Sequence, residues 1–462
     1  MTSQLAEPTY VGDLGDGLIR RWTTAADTEK VGRLMASVFR DGADKPPRAR
    51  EMDEARVVMS VAFPFMGPGD FAVVEDTSRP ERPLVACTSL FRHQWSYAGI
   101  PFGVGRPEEV ATDPDYRNRG LIRSLMEMVH ARSTAEGHLV QAITGIPYFY
   151  RQFGYEYVLD LDGCRNTPVT AIPEKTRNEP EAYSLRLATI DDVPALQSLY
   201  NQRRGNSLVW HETTEAFWRY HVESWHDPAV AGKDVTLVGL GKRLHMIMNA
   251  AGDTCGFAWV VAVRWNDEIR VTALELASGV NWQAAMPSVL RALCSLGHEA
   301  PCLGPDVAPL GAISFHLGRA HPAYEVLGQR LAPHHKPPYA WYLRVPDISA
   351  FIRLITPVLE ERLARSVLTG HTGELLIDFY RGGLCLQFER GRLASIESWK
   401  APPFGDNAHA GSPALTFLQM LFGYRSLAEL RAIFPDVWAD EKAALLLDTI
   451  FPALLSTVHA LG

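Results

Sequence analysis

Two stretches of the chain open alike. Arg21, Thr24, Asp27, Val31, Leu34 and Met35 recur, at one constant offset, as Arg186, Thr189, Asp192, Leu196, Leu199 and Tyr200. In each stretch the threonine is placed to cap a helix, with an acid three residues on to close a capping box. Apolar positions then follow at helical spacing. The shared opening predicts two related α/β domains in tandem. Length agrees: 462 residues, at about 150 per domain, suggests about three domains.

Two segments read as linkers. They are Arg165–Tyr183, RNTPVTAIPEKTRNEPEAY, and Ala332–Tyr339, APHHKPPY. Prolines remove backbone donors and resist helix, which favours connections there. The expected domains are therefore 1–164, 183–331 and 340–462. The third has a different pattern. Ile348–Leu368 reads as an amphipathic helix, and Leu375–Phe379 and Leu384–Phe388 as strands joined at Gly382-Gly383, with a third strand at Arg392–Ser398. Helices are expected at Pro413–Phe422, after Ser426 with its Glu429, and at Asp440–Phe451. This is an α+β domain with a small antiparallel sheet and a helical end.

Composition removes several alternatives. Hydrophobic residues make up 47% and charged residues 21%, an ordinary globular balance. No apolar run approaches the roughly 20 residues that span a bilayer. The opening MTSQLAEPTYVGDLGDG has no apolar signal core, so export is not expected. A net charge of −8 gives no sign of a nucleic-acid partner. The six cysteines are dispersed without a C-x-x-C pair, which points to reduced thiols and to neither zinc nor a disulfide framework.

One stretch carries chemistry: Glu109–Leu125, EVATDPDYRNRGLIRSL. A β-type run ends at Thr112, Asp113-Pro114-Asp115 turns, and Arg117-Asn118-Arg119-Gly120 leads into a helix with Leu121, Ile122, Leu125, Met126 and Val129 on one face. The first N–H groups of a helix have no internal acceptor, and its dipole favours an anion there. Gly120 lets a phosphate approach the backbone, Arg117 and Arg119 add charge, and a pyrophosphate is the natural ligand. The pattern is neither a P-loop nor a dinucleotide fingerprint. Ile143–Tyr157, ITGIPYFYRQFGYEY, then runs from a strand through aromatics and a Phe153-Gly154-Tyr155 turn into another strand.

Together these stretches resemble the GNAT acetyltransferase superfamily. Arg117-Asn118-Arg119-Gly120-Leu121-Ile122 matches its acyl-CoA motif, with Ile122 where the generic pattern has Gly or Ala. Phe149-Tyr150-Arg151-Gln152-Phe153-Gly154-Tyr155 matches its second segment. The enhanced-intracellular-survival (Eis-like) branch is the more similar one, with an R-R-R-G-L-L form of the first motif. That branch has an active GNAT domain, a degenerate one and a sterol-carrier-protein-like C-terminal domain. The third piece here resembles that last domain through Phe422–Leu430 and Phe451-Pro452. The implied fold is α/β and α+β: tandem GNAT-like mixed-sheet domains, the second degenerate, then the sterol-carrier-like domain.

The resemblance implies an acetyl-CoA-dependent N-acetyltransferase, with acetyl-CoA as co-substrate and no metal. A primary amine, such as an aminoglycoside, polyamine or lysine side chain, would attack the thioester directly. It implies that Val110, Ala111 and Thr112 pair with the pantetheine arm. Arg117, Asn118, Arg119, Gly120, Leu121, Ile122 and Arg123 would cradle the pyrophosphate, and Gly145 and Ile146 would add contacts. Tyr150 aligns with the family's general acid, and the α-carboxylate of Gly462 with its base. The other sources of a base are water near Glu108 or Glu109, or an amine already neutral. Phe39, Asp41 and Phe63-Pro64-Phe65 are candidates for the amine pocket, against ordinary core packing. The dispersed cysteines and the lack of a signal core or a membrane-length apolar run point to a cytoplasmic protein with no membrane partner, and the resemblance allows homo-oligomers. The second copy's Val271–Leu290 has no Arg or Lys, so one CoA per chain is expected. The alternatives are a lipid- or small-molecule-binding carrier with a non-catalytic CoA-binding domain, and a CoA-sensing pseudoenzyme, against which an intact Tyr150 argues.

Overall fold

The computed structural model describes residues 2–40, 42, 44–176, 179–224, 241–302, 308–402 and 407–459. The described residues form three sheets. The first is ordered Val11–Gly15, Leu18–Trp22, Phe71–Asp76, Leu84–Tyr97, Ile100–Thr112, Val140–Ile143, Tyr339–Arg344, Glu156–Leu161, with Val209–Glu212 added beside Leu84–Tyr97. Its spine is the hairpin of Leu84–Tyr97 with Ile100–Thr112. Ala98 and Gly99 close it at φ of +46° and +88°, the left-handed pair that suits strand twist.

The second sheet repeats the plan. Tyr183–Leu187, Lys242–Asn249, Thr254–Val261, Glu268–Leu276 and Ala312–Phe315 lie side by side in chain order, followed by Cys164–Pro168 and His334–Lys336. The repeated opening is realised twice. Thr24 and Asp27 form one capping box, Thr189 and Asp192 another. Arg21 grips Asp27 with two bonds of 2.9 and 2.8 Å, and Arg186 grips Asp192 with two of 2.7 Å.

Alternation along the strands divides the first sheet's faces. Ala72 and Val74 face Leu121, Leu125, Met128 and Val129 of the helix Leu121–Ala135. Phe71 and Val73 face the helices Thr28–Val38 and Ala49–Val58. That second core runs on into Phe217, Trp218, Leu244, Met246, Phe257 and Trp259, so the two copies share one apolar interior.

Both expected linkers instead carry strands. Cys164–Pro168 pairs with Ala312–Phe315, His334–Lys336 pairs with Cys164–Pro168, and Tyr339–Arg344 crosses back into the first sheet. The prolines misled because they bracket these strands. Pro168 ends one, His334–Lys336 is an edge strand between Pro333 and Pro337, and Pro338 precedes the inserted strand. In the third region the hairpin is Gly373–Asp378 with Gly383–Glu389, followed by Arg392–Trp399. The helices are Ile348–Ala364, Ala414–Leu421, Leu427–Ile433 and Glu441–Ile450. Its sheet is not wholly antiparallel, since Gly373–Asp378 pairs in parallel with Ala410–Gly411. Among the described residues no helix is long and apolar enough to cross a membrane.

Candidate active site

The first sheet is split beside its longest hairpin. Ile100–Thr112 pairs in parallel with Val140–Ile143 only at Val104↔Val140 and Gly105↔Gln141. Beyond Gly105 the neighbour turns away and takes Tyr339–Arg344 as its own partner. Among the described residues, the ladder therefore gives Val110, Ala111 and Thr112 no partner on that edge. A bulge helps open the gap: the register with Leu84–Tyr97 shifts between Cys87 and Ser89, opposite Glu109, whose φ is +51°. A free strand edge can accept an extended chain that carries amide groups.

At the strand's end the chain turns through Arg117–Gly120 into the helix Leu121–Ala135. Asn118 and Gly120 are left-handed, at φ of +63° and +73°. Alternating backbone handedness makes successive N–H groups converge on one point, a ready anion seat. The helix has no side-chain cap, and its first internal bond runs from Ser124 N–H to Gly120 O at 3.2 Å. The N–H groups of Leu121, Ile122 and Arg123 thus have no acceptor inside the helix. Among the described residues, a Cβ on Gly120 would meet nothing within 4 Å, so they leave the space above the turn open. Leu121 and Ile122 turn their side chains into the core and leave only their backbones to the site. Arg119 reaches Asp16 at 3.1 Å and Arg123 reaches Gln152 at 3.0 Å, both exposed. Among the described residues Arg117 has no ion-pair partner.

The opposite wall of the gap is Gly145–Phe153. Gly145 and Tyr148 are left-handed, at φ of +115° and +66°. Tyr150 lies in the short helical turn Phe149–Phe153, 3% exposed, and a Cβ on Gly145 would lie 3.8 Å from its hydroxyl. Burial, then the charge of Glu108, push this phenol well above its ordinary range, so it stays protonated through neutral pH. Among the described residues its hydroxyl has no hydrogen-bond partner. Ile146, by contrast, is exposed.

Carboxylates gather at the bulge. Glu108 accepts from Arg106 Nε at 2.7 Å and from Thr144 Oγ1 at 3.3 Å, which ties the two diverging strands together. Glu51 and Glu54, three apart on the helix Ala49–Val58, turn toward the same place. Burial, then the Glu51 charge, push Glu54 up to about 7. Burial, then Glu54 and Glu108, hold Glu109 well above the carboxylate range. Sequence reasoning missed Glu51 and Glu54, although their spacing already put them on one helical face.

The expected amine-pocket residues divide. Phe63 and Phe65 are core, packed edge-on to each other at 5.5 Å and against Phe91, His93 and Phe217. Phe39 is partly buried against that core, and Pro64 is exposed. Asp41 and Gly462 lie outside the described residues. The last described residues run between the sheets. Leu455 O accepts from Leu208 N–H at 2.9 Å, and Val458 O accepts from the Trp341 indole at 3.0 Å. Among the described residues no group of three or more His, Cys, Asp or Glu is set to hold a metal.

The sequence matches the family model of the acetyltransferase (GNAT) domain over residues 19–158. Residues 19–158 are a GNAT acetyltransferase domain. Through it the chain is an acyltransferase, and GNAT domains use acetyl-CoA. No curated protein matches the sequence. Solved structures match nearly end to end. A GCN5-related N-acetyltransferase from Kribbella flavida covers 96% of this chain and 98% of its own, at 19% identity and a TM-score of 0.62. One from Anabaena variabilis covers 96% and 99%, at 13% and 0.61. Eis1 from Mycobacterium abscessus covers 96% and 99%, at 13% and 0.54. What these share with the chain is its fold, a mixed α/β arrangement of several mixed sheets.

Proposed function

We propose that the chain is an acetyl-CoA-dependent N-acetyltransferase acting on a primary amine, of the Eis-like type. The observation that carries this is the meeting, at one sheet gap, of an open strand edge, an uncapped helix N-terminus and a buried phenol. Val110–Thr112 take the pantetheine amides, Arg117–Arg123 the pyrophosphate, and Gly145 and Ile146 the far edge. The thioester then lies between Tyr150 and the carboxylates at the bulge.

The amine nitrogen attacks the thioester carbon. A C–N bond forms, the C–S bond breaks, and the Tyr150 hydroxyl gives its proton to the departing sulfur. The proton lost by nitrogen passes to a carboxylate. Glu54 supports that role, since an acid near 7 exchanges protons readily at neutral pH. The terminal carboxylate of Gly462 is the second candidate. The acidic bulge also favours a cationic acceptor, which fits polyamines, aminoglycosides and lysine side chains alike. The second copy is read as degenerate and the third region as sterol-carrier-protein-like, a reading its helix–hairpin–strand–helix order supports. The reading also makes the protein cytoplasmic, alongside its acetyl-CoA supply.

The test is release of free thiol from acetyl-CoA over a panel of polyamines, aminoglycosides and lysine peptides. Amine-dependent release is expected. A chain that binds acetyl-CoA and releases no thiol with any amine is a sensor, and the reading is wrong.

A further inference from the structure

The strand Tyr339–Arg344 lies far outside the GNAT match, yet it forms the floor under Gly145–Tyr148. Three tyrosine hydroxyls meet there. Tyr339 donates to Gly145 O at 2.8 Å, Tyr157 and Tyr339 are 3.2 Å apart, and Tyr342 contacts Tyr157 at 2.5 Å. The Tyr148 N–H also donates to the Tyr157 oxygen, at 3.1 Å.

A carbonyl oxygen only accepts, so Tyr339 gives its proton to Gly145 O. The Tyr342 hydroxyl faces both the Tyr157 oxygen and, at 3.4 Å, Ile146 O, so it too reaches the backbone of this segment.

The segment they hold needs holding. Ile146 is 57% and Tyr148 73% exposed, so burial does not fix them. Tyr148 carries a bulky side chain at φ +66°, a conformation that persists only where its surroundings enforce it. Two residues on, Tyr150 packs edge-on to Tyr342 with centroids 5.7 Å apart, and its ring edge lies 3.6 Å from the Cβ position of Gly145. The hydroxyls of Tyr339 and Tyr342 thus hold Gly145 and Ile146 at the far edge of the sheet gap, and Tyr150 packs against Gly145 and the Tyr342 ring.

We propose that Tyr339 and Tyr342 are positioning residues for acyl transfer, so the acetyltransferase site is completed by a strand from beyond the second copy. The proposal rests on the N-acetyltransferase reading of the same gap. It predicts that the acetyltransferase domain alone lacks a working Gly145–Tyr150 wall.

The experiment uses the full chain with Tyr339→Phe, Tyr342→Phe and Tyr150→Phe, singly and paired. Each change removes one hydroxyl and keeps the ring. Acetyl-CoA affinity is read by calorimetry, which needs no acceptor, and kcat and both KM values are read with an amine that wild type acetylates. Tyr339→Phe is expected to weaken acetyl-CoA binding and lower kcat, each by about tenfold, and to leave the amine KM and the melting temperature unchanged. Tyr342→Phe should lower kcat in wild type and add little to Tyr150→Phe, because it acts through that residue. A structural role alone would lower the melting temperature and leave both KM values in place. Unchanged affinity and turnover in both single variants overturn the proposal. Wild type that binds no acetyl-CoA overturns the reading beneath it instead.

Discussion

The two copies of the GNAT-like unit share one plan, and the start of one helix differs sharply between them. Each runs from a long strand through a helix to a parallel strand: Ile100–Thr112, Leu121–Ala135 and Val140–Ile143 in the first, Glu268–Leu276, Trp282–Glu299 and Ala312–Phe315 in the second. In the first, Gly120 precedes the helix, no side chain caps it, and Arg117, Arg119 and Arg123 surround its start. In the second, the Asn281 side chain accepts the Ala284 N–H at 3.1 Å, and no basic residue lies within Val271–Leu290. Among the described residues, one helix start has no side-chain cap, and the other is capped by its own asparagine. Near the end of the second copy's long strand, burial pushes Glu275 up to about 8 although Arg203 lies 3.6 Å away. The scaffold, down to the Arg–Asp grip under each capping box, is the same. On the proposed reading, a few residues at a helix start decide which copy binds an anion.

The largest effect is expected at Tyr150, the proposed proton donor of the first copy. Tyr150→Phe should spare acetyl-CoA affinity and lower kcat about 100-fold, the lower end for a general acid. Paired binding and turnover measurements decide it, and unchanged turnover with chemistry rate-limiting would return Tyr150 to its aromatic neighbours. Next comes Gly120→Val. It forces a branched side chain into a left-handed turn and into the open space above it, and acetyl-CoA affinity should fall about tenfold or more with the fold retained. Gly279→Val, also at a positive φ of +87°, should leave that affinity alone.

A smaller effect concerns protons. With Glu54 near 7, acetyl transfer should rise several-fold as pH climbs through about 7, and Glu54→Gln should flatten that limb. The stability sign is opposite. A carboxyl whose folded value is raised favours the fold below its unfolded pKa, near 4.5, and that contribution is lost as pH rises through about 7. Melting curves from pH 5 to 8, at about half-unit steps, check this, with Glu54→Gln losing less stability over the range than wild type. The smallest effect belongs to the second copy. Asn281→Ala should cost about 1 kcal/mol of stability for the lost cap and nothing in activity. A change in acetyl-CoA binding there would erase the distinction between the copies.

Local chemistry made the first half of this picture legible in the sequence. The capping boxes at Thr24, Thr189 and Ser426, the hairpin at Gly382-Gly383, and the Arg117–Gly120 turn all act over a few residues, and each emerged as read. What escaped depends on contacts across the chain. In the sequence Tyr339 reads as the end of a proline-rich connection and 340–344 as the start of the third domain, and only pairing with Ile143 and Tyr157 places this strand beside the gap. Glu51 and Glu54 look like a solvated helix face until the bulge at Glu109 meets them. Phe63 and Phe65, read as possible substrate contacts, were absorbed by a core that the second copy helps to build.

The central claim is that only the first copy seats acetyl-CoA, at the helix start behind Gly120. Calorimetric titration of the full chain measures this directly, with wild type beside Gly120→Val and Asn281→Ala. The account predicts one acetyl-CoA per chain in wild type and in Asn281→Ala, and binding weakened at least tenfold in Gly120→Val. Two equivalent sites per chain, or normal binding in Gly120→Val, would contradict it.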